Sequence, residues 1–156
     1  MSTKSTPTEC TGTRATIGKL ELTLKSEDAG LREIAATILL KGGFLSEDII
    51  KNVKNKEKLI ATFMANKKCR MLVAKRLAEF DYVEIPYPWL IENVSPHIRK
   101  ILIGCLSSLD KAWENERDEK IKLAIVDKLL TRQEERISDS NREGMIHFLI
   151  TQYGDA

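Results

Sequence analysis

From residue 26 onward, apolar and polar positions recur with the period of an α-helix. The stretch "SEDAGLREIAATILLKGG" opens on Ser26 as a capping residue, carries Glu27 and Asp28 in its first turn and stops at Gly42-Gly43. "SEDIIKNV" opens at Ser46, "NKEKLIATFMAN" at Asn55, and "KKCRMLVAKRLAEF" covers 67–80, with Asn66 as cap or break. Pro86 and Pro88 then disfavour helix in Ile85 and Tyr87, the residues before them. Pro88 suits the first position of a short helix, "PWLIEN". A further helix starts with Ser95 as cap and Pro96 at its first position. Ile98, Ile101, Leu102, Cys105, Leu106, Leu109 and Trp113 share one of its faces, widened by Ile103. The acidic "ENERDE" at 114–119 closes it and leads into "KIKLAIVDKLLTR". After a polar break, "REGMIHFLITQY" forms the last helix, capped by Asp139 or Ser140 and ended by Gly154.

The segment before Ser26 follows a different rhythm. Leu20, Leu22 and Leu24 alternate with Lys19, Glu21, Thr23 and Lys25, which is strand period. A lone strand in a helical chain has no partner for its backbone groups. Three outcomes follow: the segment is helical after all, it pairs with the preceding tail, or it pairs with another chain. Residues 1–18 hold six Thr, two Ser and one strongly apolar residue, Ile17. They bury too little to offset their ordering entropy and read as a flexible Ser/Thr-rich tail, a bias shared by some targeting segments.

Five helical stretches carry one loose register. Aligned on Arg32, Arg70, Arg99, Lys122 and Arg142, they read "REIAATIL", "RMLVAKRL", "RKILIGCL", "KLAIVDKL" and "REGMIHFL". A basic residue leads and Leu closes the eighth place, at spacings too unequal for a regular repeat. "PWLIENVSPHIRKILIGCLSSL", residues 88–109, resembles a HEAT-type helical repeat: a short helix, a polar turn and an Arg-led second helix. "MANKKCRMLVAKRLAEF" looks similar but has no Pro-led first helix. The resemblance implies stacked helix pairs and a scaffold that offers a surface to protein or nucleic acid. Helices apolar over a wide face, such as "KILIGCL" and "MIHFLI", also need cover on two sides. The expected fold is therefore all-α: a short irregular α-solenoid of HEAT-like type or a compact multi-helix bundle, with about six to seven helices. A flexible tail (1–18), a short extended segment (19–25) and a helical-repeat domain (26–154) make up the expected organisation.

Composition sharpens this little. The 156 residues are 42% hydrophobic and 31% charged, as in an ordinary single soluble domain. Cys10, Cys69 and Cys105 lie far apart, which suits a reducing compartment; no apolar run reaches membrane-spanning length. A cytoplasmic protein is expected.

Charge changes the picture more. Between Lys51 and Arg76 stand Lys51, Lys54, Lys56, Lys58, Lys67, Lys68, Arg70, Lys75 and Arg76 against the single acid Glu57, inside a chain of net charge +2. This segment is either a solvated lysine-rich face or a surface for phosphates, an acidic protein or an anionic membrane. Phe63 is its only aromatic residue, so base stacking has little support. The aligned basic residues either line one surface or reach over neighbours to bond turn carbonyls. Tyr82, Tyr87 and Trp89, with Pro86 and Pro88, make a stiff aromatic corner suited to protein binding or to filling gaps between helix pairs. His97 reads as exposed and His147 as partly buried; the carboxylates of 114–119 read as a solvated turn. No nucleophile–base pair, glycine-rich phosphate loop, cofactor motif or metal-ligand spacing stands out. The expected function is a noncatalytic adaptor or regulator that binds another protein through the basic face and the aromatic corner. The alternative is a nucleic-acid-binding helical repeat using residues 51–76 on the phosphate backbone.

Overall fold

The computed structural model describes residues 14–132 and 136–154, and most of them are helical. Ten α-helices occur among them: α1 (Arg14–Thr23), α2 (Ala29–Lys41), α3 (Glu47–Asn52), α4 (Lys56–Ala65), α5 (Arg70–Leu77), α6 (Tyr87–Asn93), α7 (Pro96–Leu102), α8 (Leu109–Asn115), α9 (Glu119–Thr131) and α10 (Asp139–Tyr153). A 3-10 turn, Lys67–Cys69, precedes α5. The only β-type pairing among the described residues is one parallel bridge between Val83 and Leu106. An all-α class thus holds, with more and shorter helices than the six or seven expected.

The excess has local causes. Residues 96–113 do not form one helix. The chain leaves α7 at Ile103 and turns through Gly104 and Cys105 before α8 begins under a cap from Ser108. Between the two helices, Cys105 accepts a bond from the Val83 amide (2.8 Å) and the Ser107 amide donates to Val83 (2.9 Å). Those pairings satisfy backbone groups that a continuous helix would have bonded internally. Caps also shift by a residue or two. Asp28, not Ser26, caps α2 through the Leu31 amide (3.1 Å), while Ser26 Oγ accepts from Asp28 (3.0 Å). Ser138, rather than Asp139 or Ser140, caps α10. Tyr87, expected extended, is the first residue of α6, with Pro88 in the first turn.

The expected extended segment at 19–25 is corrected to helix. Its first five residues, 19–23, complete α1, which also takes in residues 14–18 of the expected tail. Its leucines alternate, but no strand among the described residues offers an edge; a helix satisfies its backbone internally, so hydrogen bonding overrides the pattern. Residues 1–13 of the expected tail, Cys10 included, lie outside the described residues.

The chain divides into two compact units, residues 1–76 and 77–156. In the first, α2 packs against α1 and α3. Ala36, Leu39, Ile50, Val53, Leu59, Phe63 and Val73 are among its buried side chains. In the second, α6 packs on α7 and on α8, α9 packs on α7 and on α8, and α10 packs on α8. Leu90, Leu102, Leu109, Ile121, Ile125 and Met145 fill the space between them. The Trp113 and Phe148 rings meet edge to face at 5.5 Å, joining α8 to α10. No helix among the described residues is long and apolar enough to cross a membrane.

Candidate functional site

The first candidate is the basic segment of the first unit. Lys51 sits on α3, where it pairs with Asp48 at 3.1 Å. Lys54 lies between α3 and α4, Lys56 and Lys58 in the first turn of α4, Lys67 and Lys68 in the 3-10 turn, and Lys75 on α5. All seven lysines reach solvent, Lys56 least. The two arginines behave differently. Arg70 is buried; its Nε donates to the Phe63 carbonyl and its Nη2 to that of Met64, both at 3.0 Å. These carbonyls belong to the last turn of α4, where intrahelical partners run out. Arg76 likewise donates from Nε and Nη2 to the Val53 carbonyl, the C-cap of α3, at 3.3 and 2.9 Å. Each guanidinium therefore finishes a helix C-terminus, where a cation also complements the dipole.

The same device explains the loose sequence register. Arg32 Nη1 donates to the Ser26 carbonyl (2.6 Å) and Nε to Asn52 Oδ1 (3.3 Å). Arg99 Nη1 donates to the Val94 carbonyl, the C-cap of α6, at 2.6 Å. At the fourth place Lys122 instead lies over the Trp113 ring, 4.8 Å from its centroid. The fifth, Arg142, is exposed and stands 3.9 Å from Asp139. Three of the five leading residues thus reach back to tie a preceding carbonyl.

The aromatic corner of the second unit separates into three environments. Tyr82 is 61% exposed and holds a φ of +56°, the only positive value on a non-glycine residue among those described. Trp89 is half-buried on α6. Tyr87 is buried, and its hydroxyl donates to Glu116 Oε1 at 2.5 Å. The Arg99 fork closes on the same carboxylate, Nε to Oε1 and Nη2 to Oε2, each at 3.0 Å. The Arg117 and Asp118 amides add bonds to Oε2 at 3.1 and 3.0 Å.

Glu116, 2% exposed, therefore accepts five hydrogen bonds at the junction of α8 and α9, correcting the reading of 114–119 as a solvated turn. No local signal marks Glu116 in the sequence, because its charged partner Arg99 stands 17 residues earlier. Burial raises the Tyr87 hydroxyl far above the ordinary tyrosine range, reinforced by the Glu116 bond and charge. Burial alone would raise the Glu116 carboxyl, but bonds from Arg99, Tyr87 and Asp118 outweigh it and hold the group below its usual value. Burial would lower Arg99, and the bond and charge of Glu116 reverse that into a rise.

An open cleft of about 620 Å³ adjoins this network, lined by the extended Val83–Pro86 run, Tyr87, Pro88, Leu106 and the start of α8. Several of its polar groups are engaged locally. Ser108 Oγ accepts from the Lys111 amide (3.4 Å), and Lys111 Nζ stands 4.0 Å from Glu114. Neither histidine lines it; His97 and His147 are both exposed, so His147 is less covered than expected. Cys105 is buried, its thiol pushed up to about 11 by that burial. Among the described residues no group of three or more His, Cys, Asp or Glu stands together to hold a metal ion.

These features define an all-helical chain with a lysine-rich unit and an internally bonded second unit. No family model, curated protein or solved structure matches it.

Proposed function

We propose that this chain is a noncatalytic binding module that engages an acidic protein partner through the lysines of its first unit. One observation carries the reading: the segregation of charge. Residues 1–76 hold 15 Lys and Arg against 8 Asp and Glu, a net of +7; residues 77–156 hold 10 against 15, a net of −5. Within the positive unit the buried or half-buried arginines are engaged by carbonyls, whereas Lys51, Lys54, Lys56, Lys58, Lys67, Lys68 and Lys75 reach solvent, where they would meet a partner. An acidic surface would be steered to such a field, and the attraction would weaken with salt. The cleft beside Tyr87 and the exposed Tyr82 are the apolar contacts through which the second unit would add specificity.

The architecture we favour for this module is a short irregular solenoid of the HEAT type. Its support is the packing of the second unit: α6 on α8 and α7 on α9, so that first helices meet first helices and second meet second. Such stacks serve as scaffolds, a role consistent with binding rather than catalysis.

The test uses fluorescent poly-L-glutamate, duplex DNA and single-stranded RNA as probes, at about 50 and about 200 mM salt. The proposal expects poly-L-glutamate to bind at the lower salt and to weaken steeply at the higher. A probe preference for nucleic acid would replace the protein partner with a phosphate backbone, and no binding to any probe would remove the basic surface as a site.

A further inference from the structure

Two helices expose apolar stripes, one in each unit. On α2 the stripe is Leu31, Ile34 and Ile38; on α10 it is Ile146, Ile150 and Tyr153. All six side chains are between 48% and 61% exposed, while the adjoining faces of the same helices bury Ala35, Leu39 and Met145. Exposed apolar side chains scattered singly need no explanation, but two aligned stripes do. Residues 1–13, 133–135 and 155–156 contain one large apolar side chain, Met1.

The stripes match one another. With Lys41 added, the α2 face runs 31, 34, 38, 41; with Glu143 added, the α10 face runs 143, 146, 150, 153. Each has steps of three, four and three, a spacing that keeps side chains on one helix face. The spacing reads the same from either end, so an antiparallel pair sets Leu31 against Tyr153, Ile34 against Ile150, Ile38 against Ile146 and Lys41 against Glu143. Three apolar pairs and one opposite-charge pair thus fall in a single register, the seam of a helix pair packed ridge into groove.

We infer that α2 of one copy of this chain docks antiparallel on α10 of a second copy, a head-to-tail contact. The occupant follows from charge as well as from register. Head-to-tail docking brings a unit of net +7 onto one of net −5, whereas docking like units onto each other opposes charges of the same sign. The contact uses different surfaces on the two copies, so it leaves an open α2 and an open α10 at the ends, and association continues past the dimer unless the chain of copies closes. A single helix pair is a small interface, so association is weak and concentration-dependent.

Sedimentation equilibrium of the full chain, from a few micromolar to about 1 mM, tests this. The weight-average mass rises from the 17.7 kDa of one chain through that of a dimer and beyond. Ile34→Glu and Ile150→Glu each hold the protein at the monomer mass. Their equimolar mixture forms a 1:1 heterodimer and goes no further, because the one intact α2 and the one intact α10 are both consumed in that contact. Lys41→Glu weakens association by about fivefold, and adding Glu143→Lys to the same chain restores it. A wild type that stays monomeric throughout overturns the inference. So does a single variant that associates like wild type, a mixture that does not pair, or a charge reversal without rescue.

Discussion

Glu116 shows how much one side chain carries in the second unit. Its carboxylate takes bonds from Tyr87 on α6, Arg99 on α7 and two amides at the start of α9. Glu116→Gln leaves a buried guanidinium without its counter-charge, and urea unfolding should show a loss of about 3–5 kcal/mol. Tyr87→Phe removes one bond to a charged acceptor and should cost about 1.5–3 kcal/mol. The pH dependence has a definite sign. An unfolded Glu titrates near about 4.3, and the folded group is held lower. Its contribution is therefore complete above that unfolded value and is lost as pH falls through the folded one. Tyr87, raised by burial, contributes fully below about 10, the unfolded tyrosine value, and loses its contribution as pH climbs beyond. Wild type should show a stability plateau between about pH 5 and 10, and the acid limb should shrink in the Gln variant. Tyr82 presents the opposite case, with strain at an exposed position. Tyr82→Gly relieves the left-handed backbone while adding unfolded-state freedom, so the melting temperature should change little. A fall of more than a few degrees would mean that the ring supports the fold.

At the scale of elements, the decisive event is the break between α7 and α8. Leu106 bridges to Val83 and is buried. Leu106→Asp places an unpaired carboxylate beside that pairing and should abolish cooperative unfolding of the second unit, checked by near-ultraviolet circular dichroism. Ile101→Asp, at a half-buried site, should cost less. Helix periods were legible in the chain, and caps to within a residue or two, because capping is local. The turn at Gly104 was not, because it rests on a bond from Val83, more than twenty residues earlier. The leucine alternation at 20–24 misled for the same reason: a strand exists only if a distant edge receives it. Arg-led helices were visible as a register, while their targets, the carbonyls of Phe63, Met64 and Val94, depend on how the chain folds back. The basic segment is therefore to be probed through its lysines. Arg70→Glu would break the end of α4 and report on folding, whereas the lysines report on binding.

For the whole molecule, charge is the feature that composition concealed. A net of +2 hides a first unit of +7 and a second of −5. Such an imbalance was readable along the chain once residues 51–76 were counted; the structure adds which of those cations reach solvent. The same imbalance underlies both the proposed acidic partner and the proposed head-to-tail contact, and salt should weaken both. The two differ in which substitutions matter. Ile34→Glu and Ile150→Glu should leave binding of an acidic polypeptide to a single chain unchanged, since neither touches the lysines.

The most direct measurement is a fluorescence-anisotropy titration of labelled poly-L-glutamate with wild type and with a variant carrying Lys54→Glu, Lys58→Glu, Lys67→Glu and Lys68→Glu. These four side chains are exposed, so the variant should melt within a few degrees of wild type. The account predicts binding by wild type at about 50 mM salt, at least a tenfold loss at about 200 mM, and no measurable binding by the variant. Equal binding by a folded variant, or none by wild type at the lower salt, would contradict it.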